Sequence, residues 1–158
     1  PYSQKREDNM AIHKVDGVDG VNNFPKKFVT LYGTAAITKG DWVVIDLSDT
    51  TNGRGASVKK FAAGSSLDPT AFGVATETIS AAGNITIQTA GLCTFALLTT
   101  GVSPGEPLVC DGATAGAASL FASGDAASPC GIYISDDGSS DGVATATNRV
   151  MITDQGYF

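Results

Sequence analysis

The sequence predicts an all-β protein: a compact β-sandwich or barrel-like body, jelly-roll or β-tulip-like in form, with an extended amino-terminal arm. Four observations predict it. Only 16% of the 158 residues are charged, against roughly 25% in an average soluble protein. Gly (19), Ala (21), Ser (13) and Thr (17) are abundant while Lys, Glu, Leu and Gln are scarce, a composition that disfavours helical bundles and coiled coils. Hydrophobic residues make up 42% of the chain and its aromatics are spread along the length, so the chain has the apolar content to fold rather than stay disordered. Short β-branched and aromatic runs alternate with turn residues about every 8–12 positions, the spacing of a sandwich or barrel.

The arm comes first. Residues 1–27 hold five basic groups, four acidic groups and the only histidine, His13. They show no helical periodicity, and two Asp-Gly pairs within Val15–Val21 favour reversals or an irregular extended path. Tyr2, Met10, Ile12, Val15, Val18, Val21 and Phe24 supply more apolar anchors than a linker carries, which predicts a segment that orders on a partner or a neighbouring subunit.

The body, residues 28–158, reads as a succession of strands. Phe28–Tyr32 ends at Gly33, and Trp42–Ile45 follows the Lys39-Gly40-Asp41 turn. Ser57–Phe61 follows Asn52-Gly53-Arg54-Gly55, read as a hairpin turn. Phe72–Thr76 comes next. Ile85–Thr89 alternates as a half-buried strand should. After Gly91, Leu92–Leu98 is expected to continue as a strand, with Cys93, Phe95 and Leu97 on one face. Pro107–Cys110, Ala118–Ala122, Gly131–Ser135 and Arg149–Thr153 complete the set. An Ala-rich stretch at 113–127 is broken by Gly116 and Gly124, so a loop and short strand are expected there.

A faint internal repeat runs through the body. Residues 37–46 (ITKGDWVVID) and 102–111 (VSPGEPLVCD) share an apolar residue, a hydroxyl, Gly, an acid, an apolar triplet and Asp. Downstream, Phe72-Gly73-Val74-Ala75 matches Cys130-Gly131-Ile132-Tyr133. The pattern predicts two similar β units, 35–80 and 100–140, packed as one core, with each Gly-acid pair turning the chain into a buried strand.

Charge excludes several functions. The net charge is −6, and residues 61–158 carry nine acidic groups against one basic group, Arg149. Such a body repels nucleic acid, and no basic stripe with interleaved aromatics is present. The first residues lack the apolar segment of a secretory leader. The longest uncharged run, 78–105, is interrupted throughout by polar residues and Gly, so no membrane helix is expected. Cys93, Cys110 and Cys130 are odd in number and lack CxxC spacing; small buried strand residues in a reducing compartment are expected rather than a disulfide framework or zinc site.

Catalysis finds no support in the residues. His13 lies in the arm, away from a rigid pocket, and no carboxylate pair or Gly-rich phosphate loop stands out. Asp137–Gly142 matches the first half of a calcium loop, but the twelfth position is Asn148 where such loops use a bidentate Glu. A solvated hairpin tip is the expected reading. No cofactor and no metal are expected, and the protein is not expected to be an enzyme.

The order Lys39-Gly40-Asp41, Phe72-Gly73-Val74-Ala75, Ile85-Thr86-Ile87, Thr89-Ala90-Gly91-Leu92, Pro104-Gly105-Glu106-Pro107-Leu108-Val109 and Gly131-Ile132 resembles the small capsid cement (decoration) proteins of tailed bacteriophages. The resemblance covers about 35–153. It implies a non-enzymatic homotrimer, made in the host cytoplasm, that sits on the outer surface of an icosahedral head. There it contacts the major capsid protein and neighbouring cement trimers and stabilises the shell by bridging capsid subunits. The candidate contact residues are Tyr2, Lys5, Arg6, Ile12, Phe24, Lys26 and Lys27 in the arm and Tyr157 and Phe158 at the other end, chosen as cations or apolar anchors. The alternative is a carbohydrate-binding, adhesin-like β module of a phage fibre, with Trp42 and Tyr133 as stacking residues; the apolar strand pattern around Trp42 favours its burial instead.

Overall fold

The computed structural model describes residues 25–52, 56–62, 71–110, 114–123, 128–135 and 140–153. Among these there are nine strands and no helix: β1 (Lys27–Gly33), β2 (Trp42–Ile45), β3 (Ser57–Lys60), β4 (Gly73–Ala75), β5 (Gly83–Leu97), β6 (Pro107–Val109), β7 (Ser119–Leu120), β8 (Gly131–Ile134) and β9 (Ala146–Ile152). They form one sheet in the order β1-β3-β2-β4-β5-β9-β8-β6-β7, and an added β1–β5 pairing closes the first five strands into a barrel. The all-β, barrel-like architecture expected from the sequence is present.

Why these residues build a barrel is clearest in β2. Val43 and Ile45 face the barrel interior with Ile37, Val58, Phe72, Ala75, Ile85 and Ile87. Trp42 and Val44 face the other way, into a second core with Cys93, Leu98, Leu108, Tyr133, Val150 and Ile152. A strand buried on both faces needs a continuous apolar run, and Trp-Val-Val-Ile supplies one. Trp42 is fully buried, and its indole Nε1–H donates to Leu97 O (3.0 Å).

Ile85–Thr89 and Leu92–Leu98 run on as one strand, the 15-residue β5. Gly91 does not end it, because glycine takes φ +85° without penalty and lets the backbone pass Pro25, whose carbonyl oxygen would lie 2.5 Å from any Cβ placed there. Along one edge, β5 pairs with β1 through Ala90 and with β9 from Gly91 onward, both antiparallel. Register shifts between Cys93 and Ala96 and between Ala96 and Leu97 then change which side chains point inward. Cys93, Ala96 and Leu98 enter the core, while Phe95 is half-buried beneath the Lys39 ammonium, 5.0 Å from its ring centroid. The predicted Cys93-Phe95-Leu97 face is therefore broken by a bulge.

The repeated motif has a repeated geometry. In the first turn Asp41 N–H donates to Thr38 O (3.0 Å), and the Asp41 carboxylate accepts from Thr38 N–H (2.8 Å). In the second, Glu106 N–H donates to Ser103 O (3.2 Å), and the Glu106 carboxylate accepts from Ser103 N–H (2.7 Å). Gly40 (φ +94°) and Gly105 (φ +87°) take the left-handed position that this turn requires. Gly40 N–H then donates to Ala75 O and Ala75 N–H to Asp41 O; Gly105 N–H donates to Tyr133 O and Tyr133 N–H to Glu106 O. Beyond the turns, β2 pairs with β4 through Val43↔Gly73 as β6 pairs with β8 through Leu108↔Gly131. The parallel β1–β3 contact at Gly33↔Val58 has its counterpart in the parallel Leu98↔Ala118 bridge.

Candidate functional site

Of the nine candidate contact residues, Lys26 and Lys27 lie within the described residues. Tyr2, Lys5, Arg6, Ile12, Phe24, Tyr157 and Phe158 lie outside them, as do His13 and the 137–139 part of the calcium-like loop. Lys26 and Lys27 are exposed at the entrance to β1. A register shift between Lys27 and Phe28 sets Lys27 opposite Ala90 and Phe28 opposite Gln88. Thr89 Oγ1–H donates to Lys27 O (3.4 Å), which ties the strand start to β5.

This entrance lies at a junction. On the same edge of β5, β1 begins opposite Ala90 and β9 ends opposite Gly91. Gln88 holds the crossing together from within: buried at its side chain, it donates through Nε2 to Ala90 O (3.1 Å) and Leu92 O (3.0 Å). Next to the two lysines Phe28 is 55% exposed. Its β-strand setting gave the sequence no sign of this, because Val29 and Leu31 take the inward positions of β1.

A second feature lies on the outward face of the neighbouring strands. Leu92, Met151, Ile132 and Pro107 are register partners across β5, β9, β8 and β6, and Phe121 N–H donates to Pro107 O (2.9 Å) to extend the row. Ile132 is 41% exposed, Met151, Pro107 and Phe121 are half-buried, and Leu92 is buried at one end. The row follows from alternation in β8: with Tyr133 turned inward, Ile132 must face out.

The aromatics weighed for sugar stacking are corrected. Tyr133 packs in the core, and its hydroxyl donates to Ser140 O (3.0 Å), so its ring offers no open face. Trp42 is buried as its pattern indicated. Beside Tyr133 a small cavity of about 200 Å³ is lined by polar groups that include Asp141, Asn148 and Arg149. Asn148 is itself structural: buried, it donates to Ala96 O, Val143 O and Thr145 O and accepts from Val143 N–H (2.9 Å). Asp141 accepts from Ser103 Oγ–H (2.9 Å).

Cys93, Cys110 and Cys130 are all buried thiols. The sequence treated them separately, but the fold brings Cys110 and Cys130 together, with 4.0 Å between their sulfurs. Burial pushes the Cys93 thiol up to about 11. No group of three or more His, Cys, Asp or Glu that could hold a metal ion occurs among the described residues. Among the described residues no helix is long and apolar enough to cross a membrane.

Fold and surface together define a β-barrel protein whose outward features, among the described residues, include a cationic, apolar strand entrance and an apolar row. No protein-family model matches the sequence. No curated protein matches it either. Among solved structures, the N base of the head fiber gp8.5 of bacteriophage phi29 has a similar fold, with a TM-score of 0.56 over 82% of this chain and 96% of that one, at 9% sequence identity.

Proposed function

We propose that this protein is a non-enzymatic structural component of a bacteriophage head, bound to the outer surface of the shell as a trimer and bridging subunits of the major capsid protein. The observation that carries the reading is the likeness of its fold, across most of both chains, to the base of a phage head fiber. The exposed Lys26, Lys27 and Phe28 support it. They join an arm of mixed charge to a rigid barrel, and an arm leaving a strand entrance is placed to extend a sheet on a partner by β-augmentation. Three arms on one trimer would act together through their high effective concentration. The acidic remainder keeps the outward face in water and repels other virions.

The similar structure is itself a fiber base, which favours a second reading in which the barrel anchors a fibre on the head. Glycan stacking through Trp42 or Tyr133 is not part of that reading, since both rings are buried.

Co-sedimentation with undecorated heads of the cognate phage tests the proposal. The full chain is expected to pellet with the heads. A chain lacking residues 1–24, and the Lys26→Ala/Lys27→Ala/Phe28→Ala variant, are expected to bind more weakly while remaining folded. A full chain that stays in the supernatant at every concentration overturns the head-surface reading.

A further inference from the structure

We propose that Cys110 and Cys130 form a redox-active pair that closes to a disulfide when the folded protein meets an oxidised small-molecule disulfide. Cys110 follows β6 and Cys130 precedes β8, two strands paired antiparallel through Pro107↔Ile132 and Leu108↔Gly131. Cys130 N–H donates to Leu108 O (2.8 Å), which fixes the backbone beside the pair. Their sulfurs lie 4.0 Å apart. A bond needs about 2 Å, a closure that side-chain rotation at two adjoining strand ends can supply.

The two thiols differ in access. Cys110 is 7% exposed and Cys130 1%. In this scheme the more exposed residue, Cys110, meets the oxidant first. Its thiolate attacks one sulfur of the small-molecule disulfide, that S–S bond breaks, and the first small thiolate leaves. The Cys130 thiolate then attacks the Cys110 sulfur, forming the Cys110–Cys130 bond and expelling the second small thiolate. Two protein thiols are oxidised, one small disulfide is reduced to two thiols, and the two protons pass to the released thiolates. The product would tie β6 to β8 around β7. Cys93 stands apart: it lies on β5 opposite Val150 and remains a thiol, an internal control for the selectivity of the reaction.

The pair is inert where glutathione is reduced and closes where it is oxidised. This chemistry is independent of head binding and is tested on the isolated full chain. The protein is incubated with oxidised glutathione, denatured, alkylated and analysed by intact mass and peptide mapping. The expected result is a mass lower by two hydrogen atoms before alkylation, a single alkylated cysteine, Cys93, and one linked peptide pair joining Cys110 to Cys130. The Cys93→Ser variant is expected to form the same link with no cysteine left to alkylate. Three alkylated cysteines, a glutathione adduct that persists, or a link through Cys93 would overturn the proposal.

Discussion

Asp41 and Glu106 hold the same place in two turns of one chain: each accepts the backbone N–H three residues before it through its carboxylate and donates its own N–H to that residue's carbonyl. The surroundings differ. Asp41 is buried and paired with the Lys60 ammonium at 3.1 Å, whereas Glu106 is half-buried. The same local code thus works in two packing environments, and the difference separates their mutational costs.

Replacing the glycines of these turns measures that difference. A Cβ on Gly40 would meet Ala146 Cβ at 2.4 Å and Phe95 O at 2.5 Å, whereas a Cβ on Gly105 would find nothing within 4 Å. Both positions have φ well above zero, so each Ala variant carries backbone strain of about 1–2 kcal/mol. Gly40→Ala adds overpacking of about 1–3 kcal/mol. Urea unfolding is expected to show Gly105→Ala losing only the strain and Gly40→Ala losing distinctly more. Equal losses would mean that the first turn is not packed as described.

Asp46 predicts an acid-sensitive contribution to stability. Burial pushes its carboxyl up. Hydrogen bonds from Ser48 Oγ (2.6 Å), Thr34 Oγ1 (2.9 Å) and Ser48 N–H (3.0 Å), with the charge of Lys59, outweigh burial and bring it below the ordinary carboxylate value. A folded-state pKa below the unfolded one gives stability that is present above the unfolded value and lost as pH falls through the folded value. Asp46→Asn should cost about 1–3 kcal/mol at neutral pH. Melting curves of variant and wild type should converge as the pH drops below the ordinary carboxylate range. A gap that stays constant with pH would show that the ionised carboxylate is not the stabilising species.

Trp42 is the only tryptophan and reports on the core it shares with Cys93, Leu98 and Tyr133. Its emission should be blue-shifted and resist acrylamide quenching in the folded protein, then move to the red on unfolding. Trp42→Ala is expected to cost about 3–5 kcal/mol as a large core truncation. Trp42→Phe should cost less than Trp42→Ala, because Leu97 O keeps its second donor, Ala118 N–H (3.1 Å), when the indole is lost.

Much of this fold was legible in local patterns. Trp42–Ile45 coincides with β2 because a short apolar run between turns has few other solutions, and Gly40 and Gly105 marked turns because only glycine sits easily at positive φ. The sequence reads as continuing in a strand after Gly91, as β5 does, but the approach of Pro25 that makes Gly91 a crossing point was not legible. Gln88 and Asn148 were missed as buried polar residues. Asn148 reaches Ala96 O on the neighbouring strand, and the carbonyls on either side of Gly91 that Gln88 binds come together only once β5 is built. At the candidate site, Lys26 and Lys27 were singled out by their charge, whereas Phe28 and Ile132 were not, since an outward apolar residue in a strand looks like its inward neighbours until the register is known.

The most direct measurement for the central claim is a three-dimensional reconstruction of cognate heads incubated with the purified protein. Added density is expected on the outer surface, threefold in symmetry, spanning junctions between major capsid subunits, with the start of β1 turned toward the shell. Heads that show no added density, or density confined to the inner surface, would contradict the claim.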